Sequence, residues 1–573
     1  MLRKEFSVAS GKQIESARLY ASATGIYEAY INGRRVDDSY LNPGRTRYTK
    51  RIMYQTFDVT NLVNSGENAI GVILGRGWWR GGNTAYEGPL SFAGKLLINY
   101  VDGSNDIIET DRNWSSFTDG PVRVNEIFSG EKYDARKLPG EWLCPGYNEL
   151  KFGWSRATTI TPIQLKLKNV VAQNGPLTKI YKILEPIAVN NVTTWDNAGV
   201  KVYDFGQNIA GIVRVKVKGR VGDTITLRFA ELVNGPTKTG KTSVDITDAD
   251  GALWVRGNRG AKQTDTYILN GNSSGETFET SLVYHGFRYM QLSGKDKASS
   301  IPKGLEILEV EAFVLCSELE KTGRFESSDN YINKYVENTR WSMIDNYLSV
   351  PTDCPQRDER YGWLADAQIF MRTSSYLADV DSFMSKFMVD CNDDFKDGLY
   401  PGAVLQFNPT AAIGGWTDGG IIIPWRLYQQ YGNKNVMAEN YDNMKAYIDH
   451  MIIEANTTGF TPLDNTIKNT SEYPGYIDKP PVVSSDCMYG DWFSYGEHTP
   501  YVITETAFMA YSTHLFSKMA ELLGKKADAE KYSLEFEKYR KAWNRYFVNS
   551  DGSMKCDPEI FGTGMFGTAW SDN

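Results

Sequence analysis

At 573 residues the chain exceeds one ordinary domain, and three or four are expected. Hydrophobic residues at 41% and charged ones at 23% describe a soluble globular protein with apolar material for several cores. A formal net charge of −8 without any basic run excludes a nucleic-acid partner, and four scattered histidines without ligand spacing leave no zinc site.

Aromatic residues make up 13%, including 34 Tyr and 14 Trp, which suits both sugar-stacking surfaces and large β-sandwich cores. The six cysteines form no CxxC pair and are expected as free, mostly buried thiols. Met1-Leu2-Arg3-Lys4 leads into mixed polar sequence, so neither a signal peptide nor a membrane span is expected, and the compartment is cytoplasmic or periplasmic. The oligomeric state stays open.

Residues 1–160 show short alternating runs with turn punctuation, the pattern of a β-sandwich. Tyr27-Glu28-Ala29-Tyr30-Ile31 followed by Asn32-Gly33 predicts a tight hairpin. Trp78-Trp79-Arg80-Gly81-Gly82 is expected as a structural turn, because the glycine spacing of a phosphate loop is missing.

A polar, Pro-containing linker is expected over 161–182, and a second β-sandwich over 183–315. There Val213-Arg214-Val215-Lys216-Val217 alternates strictly, and His285 within a strand is expected as a packing residue. The loop 233–262, rich in Gly, Thr and Lys, is expected to be mobile and to overhang a site.

From about residue 316 the apolar period becomes that of helices. They are expected near 329–347, 360–378, 382–394, 419–431, 436–455, 501–523 and 527–547. In the last of these Ala527, Tyr532, Phe536, Tyr539 and Trp543 recur at helical spacing.

The densest chemistry lies in Asp353-Cys354-Pro355-Gln356-Arg357-Asp358-Glu359-Arg360-Tyr361-Gly362-Trp363-Leu364-Ala365-Asp366. With a helix under way by Glu359, this residue, Trp363 and Asp366 would share one face. Clustered carboxylates keep one another protonated, the state a general acid needs, while Arg357 and Arg360 favour the charged form. An ion-pair cluster at a helix start is the alternative. Two later loops, Gly414–Gly420 and Tyr489–Phe493, each pair an indole with a carboxylate: Trp416 with Asp418, and Trp492 with Asp491. That combination grips sugars by stacking and hydrogen bonding, though a helix-capping Asp beside a core Trp would look the same.

PTDCPQRDERYGWLADAQ resembles the signature of the bacterial α-L-rhamnosidases of glycoside hydrolase family 78. The early segments GIYEAYINGRRV and GENAIGVILGRGWWRGG resemble the family's N-terminal β-module, and the 183–315 region its second sandwich. The resemblance implies an (α/α)6 catalytic barrel over 316–573 and an inverting hydrolase that frees terminal α-L-rhamnose from plant glycosides or rhamnose-containing polysaccharides.

It makes Glu359 the general acid and sets Asp353, Arg357, Trp363 and Asp366 around the sugar. The loops with Trp416, Asp418, Asp491 and Trp492 resemble the family's W-x-D and G-D-W segments. The methyl group of the 6-deoxy sugar needs an apolar wall, for which Trp363, Trp416 and Trp492 are the candidates. No cofactor is called for. Asp418, Asp491, Glu497 and Glu505 sit in the right kind of loop for a base, yet none matches the family's base motif. Seven helices where the barrel needs twelve, and an end in loop-like sequence, lead to the expectation that barrel and base continue beyond Asn573 and that this chain alone has little activity. A hydrolase or lyase on another glycan and a non-catalytic glycan-binding remnant are the rival readings.

Overall fold

The computed structural model describes residues 1–81, 88–161, 164–235, 249–406, 409–410, 412–457, 489–492, 499 and 501–554. The chain divides into two units, Met1–Leu319 with Phe325–Arg360, and Glu320–Arg324 with Tyr361–Asn573.

The first unit opens with two sheets. Strands Leu2–Val8, Ile26–Ile31 and Gly66–Gly75 belong to a six-stranded sheet, and Ile14–Thr24, Arg51–Asp58, Ser91–Tyr100 and Asn105–Glu109 to a five-stranded one. Along Ile14–Thr24, alternate residues Ala17, Leu19, Ala21 and Ala23 are buried, as a strand's period of two requires. They join Phe6, Tyr27, Ile70 and Val72 in one apolar cluster. Burial stabilises each of the larger side chains by roughly 1.5–3 kcal/mol. The expected hairpin forms at Asn32 and Gly33, whose φ angles of 50° and 80° suit its two-residue turn. Trp78 and Trp79 are buried, and the Trp79 indole donates to the Gly88 carbonyl at 3.0 Å.

A ten-stranded sheet follows, built on the long strand Gly199–Lys218. Its first half pairs with Ala188–Thr193 and His285–Ser293, its last part with Glu276–Glu279 and Glu306–Ser317, with a register shift after Asp204. One bulged strand thus serves both halves of the domain, as strands that switch sheets do.

The sequence boundaries need correction here. Val122–Glu126 and Gly130–Asp134 join the ten-stranded sheet, not the opening sandwich. The supposed linker carries two strands: Asn169–Ala172 adds in parallel to Arg51–Asp58, and Thr178–Leu184 pairs with Glu306–Ser317. Both are edge strands with few buried residues, so the alternation that marks a half-buried strand is weak in them. Helix α1 (Asn330–Asn346) ends this region, capped by Asp329, which accepts from the Tyr331 and Ile332 N–H groups.

The second unit is helical: α2 (Leu364–Leu377), α3 (Asp381–Asp394), α4 (Gly419–Tyr431), α5 (Lys434–Glu439), α6 (Tyr441–Thr457), α7 (Tyr501–Leu522) and α8 (Lys526–Phe547). α4 packs against α2, α3 and α7, and α7 forms a hairpin with α8. The helix expected over 436–455 is two, broken where the Asn440 side chain reaches back to the Val436 carbonyl. Among the described residues no helix is long and apolar enough to cross a membrane. Cys487, Glu497, His498, Cys556 and the tail expected as a loop lie outside the described residues.

Candidate active site

The loop Asp353–Arg360 belongs to the first unit and follows the short strand pair Tyr347–Leu348 and Val350–Pro351. It is laid on the strand His285–Ser293. A β-carbon on Gly286 would stand 2.7 Å from the Gln356 backbone, so only glycine admits the loop there. Behind that strand His285 is fully buried, its Nε2 3.0 Å from Asp265 and its ring stacked on Phe229, which is the packing role expected of it.

Arg360, at φ 57°, turns its side chain into the interior. Its guanidinium lies over the Tyr284 ring at 4.6 Å and donates to the carbonyls of Tyr284 (2.9 Å) and Ile127 (3.2 Å). A buried guanidinium robbed of such partners costs several kcal/mol, so this residue is an anchor. Its expected place as a charge partner of Glu359 is thereby corrected.

Arg357 does face the acids. Its Nε donates to Glu359 Oε2 at 2.8 Å and its Nη2 to Asp353 Oδ2 at 3.2 Å, so one planar fork ties both carboxylates. Arg259 adds a third donor, Nη1 to Glu359 Oε2 at 3.0 Å. Glu359 keeps 19% of its side-chain surface and Asp353 6%, which makes Glu359 the more accessible acid.

Arg259 comes from the loop expected to be mobile. Residues 236–248 lie outside the described residues, but 249–262 is well tied. Leu253–Trp254 pairs with Leu232–Val233, and the Asn258 amide donates to the Phe229 carbonyl at 3.0 Å. Nothing local in the sequence points from this loop to Glu359.

The single helical face of Glu359, Trp363 and Asp366 does not exist. α2 begins at Leu364, because Gly362–Trp363 first pairs with Ala403–Val404 in extended conformation. Glu359 therefore sits on a loop and only Asp366 lies in the helix's first turn.

Asp353, Cys354 and Glu359 bring three donor atoms within 4.8 Å of one another, a spacing that suits a metal ion. The Arg357 fork already joins the two carboxylates. Burial, with Asp353 beside it, pushes the Cys354 thiol above its ordinary range. The ion pairs of Arg357 account for the two carboxylates as they stand.

In the second unit three indoles converge on one ring. Trp363, Trp416 and Trp492 have centroids 5.3, 5.2 and 5.5 Å from that of Tyr489, two of them edge-on. Trp416 packs with the small Ala365 and Ala412, while Trp492 is 46% exposed. The three candidates for an apolar wall thus form one cluster. Its hub, Tyr489, stands out in the sequence only as the start of the loop Tyr489–Phe493.

The loop carboxylates behave differently from each other. Asp366 is exposed, and half-buried Asp491 accepts from the Thr499 N–H at 3.0 Å. Asp418 is 2% exposed and is held by the Ser512 hydroxyl (2.6 Å) and the Gly415 N–H (2.9 Å). Burial pushes its carboxyl up despite these donors. It fixes the turn that carries Trp416, so its expected contact with a sugar is replaced by a structural role.

Sheet-rich regions followed by packed helices, with a clamped carboxylate on a loop and a cluster of indoles, place the chain in the class of multidomain proteins that end in a helical-hairpin domain. Residues 12–182 match the alpha-L-rhamnosidase N-terminal domain, 196–314 the bacterial alpha-L-rhamnosidase concanavalin-like domain, and 320–560 the bacterial alpha-L-rhamnosidase 6 hairpin glycosidase domain. The chain belongs to the bacterial α-L-rhamnosidases of glycoside hydrolase family 78.

It is 34% identical over 569 residues to an alpha-L-rhamnosidase of Streptomyces avermitilis, covering 97% of this chain and 49% of that protein. An alpha-L-rhamnosidase of Formosa agariphila is 32% identical, with 96% of this chain and 55% of the relative covered. The crystal structure of the Streptomyces avermitilis enzyme complexed with L-rhamnose superposes with a TM-score of 0.82 at 33% identity, over 97% of this chain and 49% of that one. The chain spans about half the length of the curated relatives it matches.

Proposed function

We propose that this chain acts on terminal α-L-rhamnose in plant glycosides or rhamnose-containing polysaccharides, as part of an inverting α-L-rhamnosidase. Glu359 protonates the oxygen that leaves with the aglycone. The observation that carries this is an accessible carboxyl within reach of a second acid, Asp353, whose charge favours the protonated form, while Arg357 and Arg259 favour the charged form and fix the direction of the group. Asp353 and Arg357 take sugar hydroxyls, a role we give to Asp366 and Asp491 as well. Trp363, Trp416 and Trp492, braced by Tyr489, supply the apolar wall for the sugar's methyl group.

Inversion also needs a carboxylate that activates water on the opposite face, about 6.5–9.5 Å from the acid. Of the acids weighed for it, Asp418 and Glu505 are both buried, which disfavours them.

The test is release of L-rhamnose from aryl α-L-rhamnosides, with other aryl glycosides as controls, and calorimetric binding of L-rhamnose alongside. In a full-length version Glu359→Gln should lower hydrolysis by about 10²–10⁴-fold while binding survives. Turnover by that variant at the level of the unsubstituted full-length protein removes Glu359 from the role, and cleavage of another sugar with rhamnoside untouched removes the substrate.

A further inference from the structure

Arg259 occupies the second position of the turn Asn258–Ala261, which is closed by the Ala261 N–H on the Asn258 carbonyl at 2.9 Å. Its φ of 50° and ψ of −121° are those of a type II′ turn, where glycine is the natural occupant. At the next residue, Gly260, a β-carbon would fall 2.3 Å from Asp358 Oδ2, so that carboxyl would have to move aside. The turn is thus pressed onto the neighbour of Glu359 and holds an arginine where the backbone favours glycine. The 61% exposed side chain makes one contact that accounts for this: it reaches Glu359 Oε2 at 3.0 Å, the oxygen that Arg357 also meets.

We propose that Arg259 is a positioning residue for the acid of this site, a reading that rests on the role of Glu359 given above. Arg357 shares its fork between Glu359 and Asp353, and Arg259 adds a second guanidinium from a different element to the same Glu359 oxygen. A proton on Oε2 would face two N–H donors, which disfavours it there. The titratable and charged groups against the Glu359 carboxyl include Arg357, Asp353 and Cys354 of its own loop and Arg259 of the turn. Removing Arg259 leaves the loop's own pairs in place.

The test needs no turnover. The chain is labelled with 13C at the glutamate side-chain carboxyl, and the Glu359 resonance is identified by its loss in Glu359→Gln. Its chemical shift and linewidth are then compared at one pH in the unsubstituted chain, Arg259→Gln, Arg259→Gly and Arg259→Lys. The resonance should shift and broaden in the Gln and Gly variants, where the carboxyl has lost a guanidinium that holds it, and return towards the original in the Lys variant. The Tm of Arg259→Gly should be unchanged or higher, because glycine relaxes the turn. A resonance unchanged in both neutral variants overturns the clamp, and a lower Tm for the glycine variant overturns the argument from the turn. Failure of Glu359 as the acid would show separately, as hydrolysis that survives in Glu359→Gln.

Discussion

Tyr489 carries more than its own contacts, because its ring is the surface on which three indoles are oriented. Each aromatic pair contributes about 0.5–1.5 kcal/mol beyond burial. Tyr489→Ala should therefore let the indoles reorient, weakening L-rhamnose binding by about tenfold (~1.4 kcal/mol) in calorimetry and flattening the near-ultraviolet circular dichroism. Tyr489→Phe keeps the ring and should keep both signals. Equal losses in the two variants would mean that the hydroxyl, not the packing, matters.

At this scale the sequence shows which residue types can hold a sugar, so the indoles and Asp353, Arg357 and Glu359 are legible. It does not show which carboxylate is buried. Asp418 and Asp491 each have an indole neighbour, Trp416 and Trp492, yet Ser512, 94 residues beyond Asp418, holds the first in a buried place. Arg259 is equally hidden, since it meets Glu359 across 100 residues of sequence.

Elements are legible where their signal is local. The apolar period of α3, α4, α7 and α8 is visible in the chain, whereas the start of α2 depends on Gly362–Trp363 pairing with Ala403–Val404, a contact no window around Trp363 contains. Edge strands such as Asn169–Ala172 escape for the same reason. The acid loop is placed by another long-range fit, its rest on the strand His285–Ser293. Gly286→Ala puts a methyl group 2.7 Å from the Gln356 backbone, so strand or loop must move. Overpacking of this kind costs about 1–3 kcal/mol, to be read by chemical denaturation. Because the displaced segment bears Glu359, rhamnoside hydrolysis should fall by more than the loss of folded protein explains. A variant with unchanged stability and hydrolysis would show that the loop is not seated there.

For the molecule as a whole, domain order was legible because alternation gives way to helical period near residue 320, but the electrostatic balance was not, since it depends on which acids are buried. Asp345 on α1 is 6% exposed and accepts from the Ala210 N–H at 3.2 Å. Burial, aided by Glu231 nearby, pushes its carboxyl well above the ordinary carboxylate range, and Glu131, buried near Asp265 and Glu28, is shifted the same way. For such a group the folded state keeps a proton that the unfolded chain releases. Its contribution to stability is complete below the unfolded carboxylate value of about 3.9 and is lost as pH rises from there towards the raised folded value. Asp345→Asn retains the acceptor for Ala210 and removes the titration. The Tm of this variant should match the unsubstituted chain near pH 4 and exceed it increasingly towards pH 8, so that its profile across that range is flatter. Parallel profiles would mean that Asp345 is charged in the folded protein, and that water or a neighbouring cation reaches it inside the first unit.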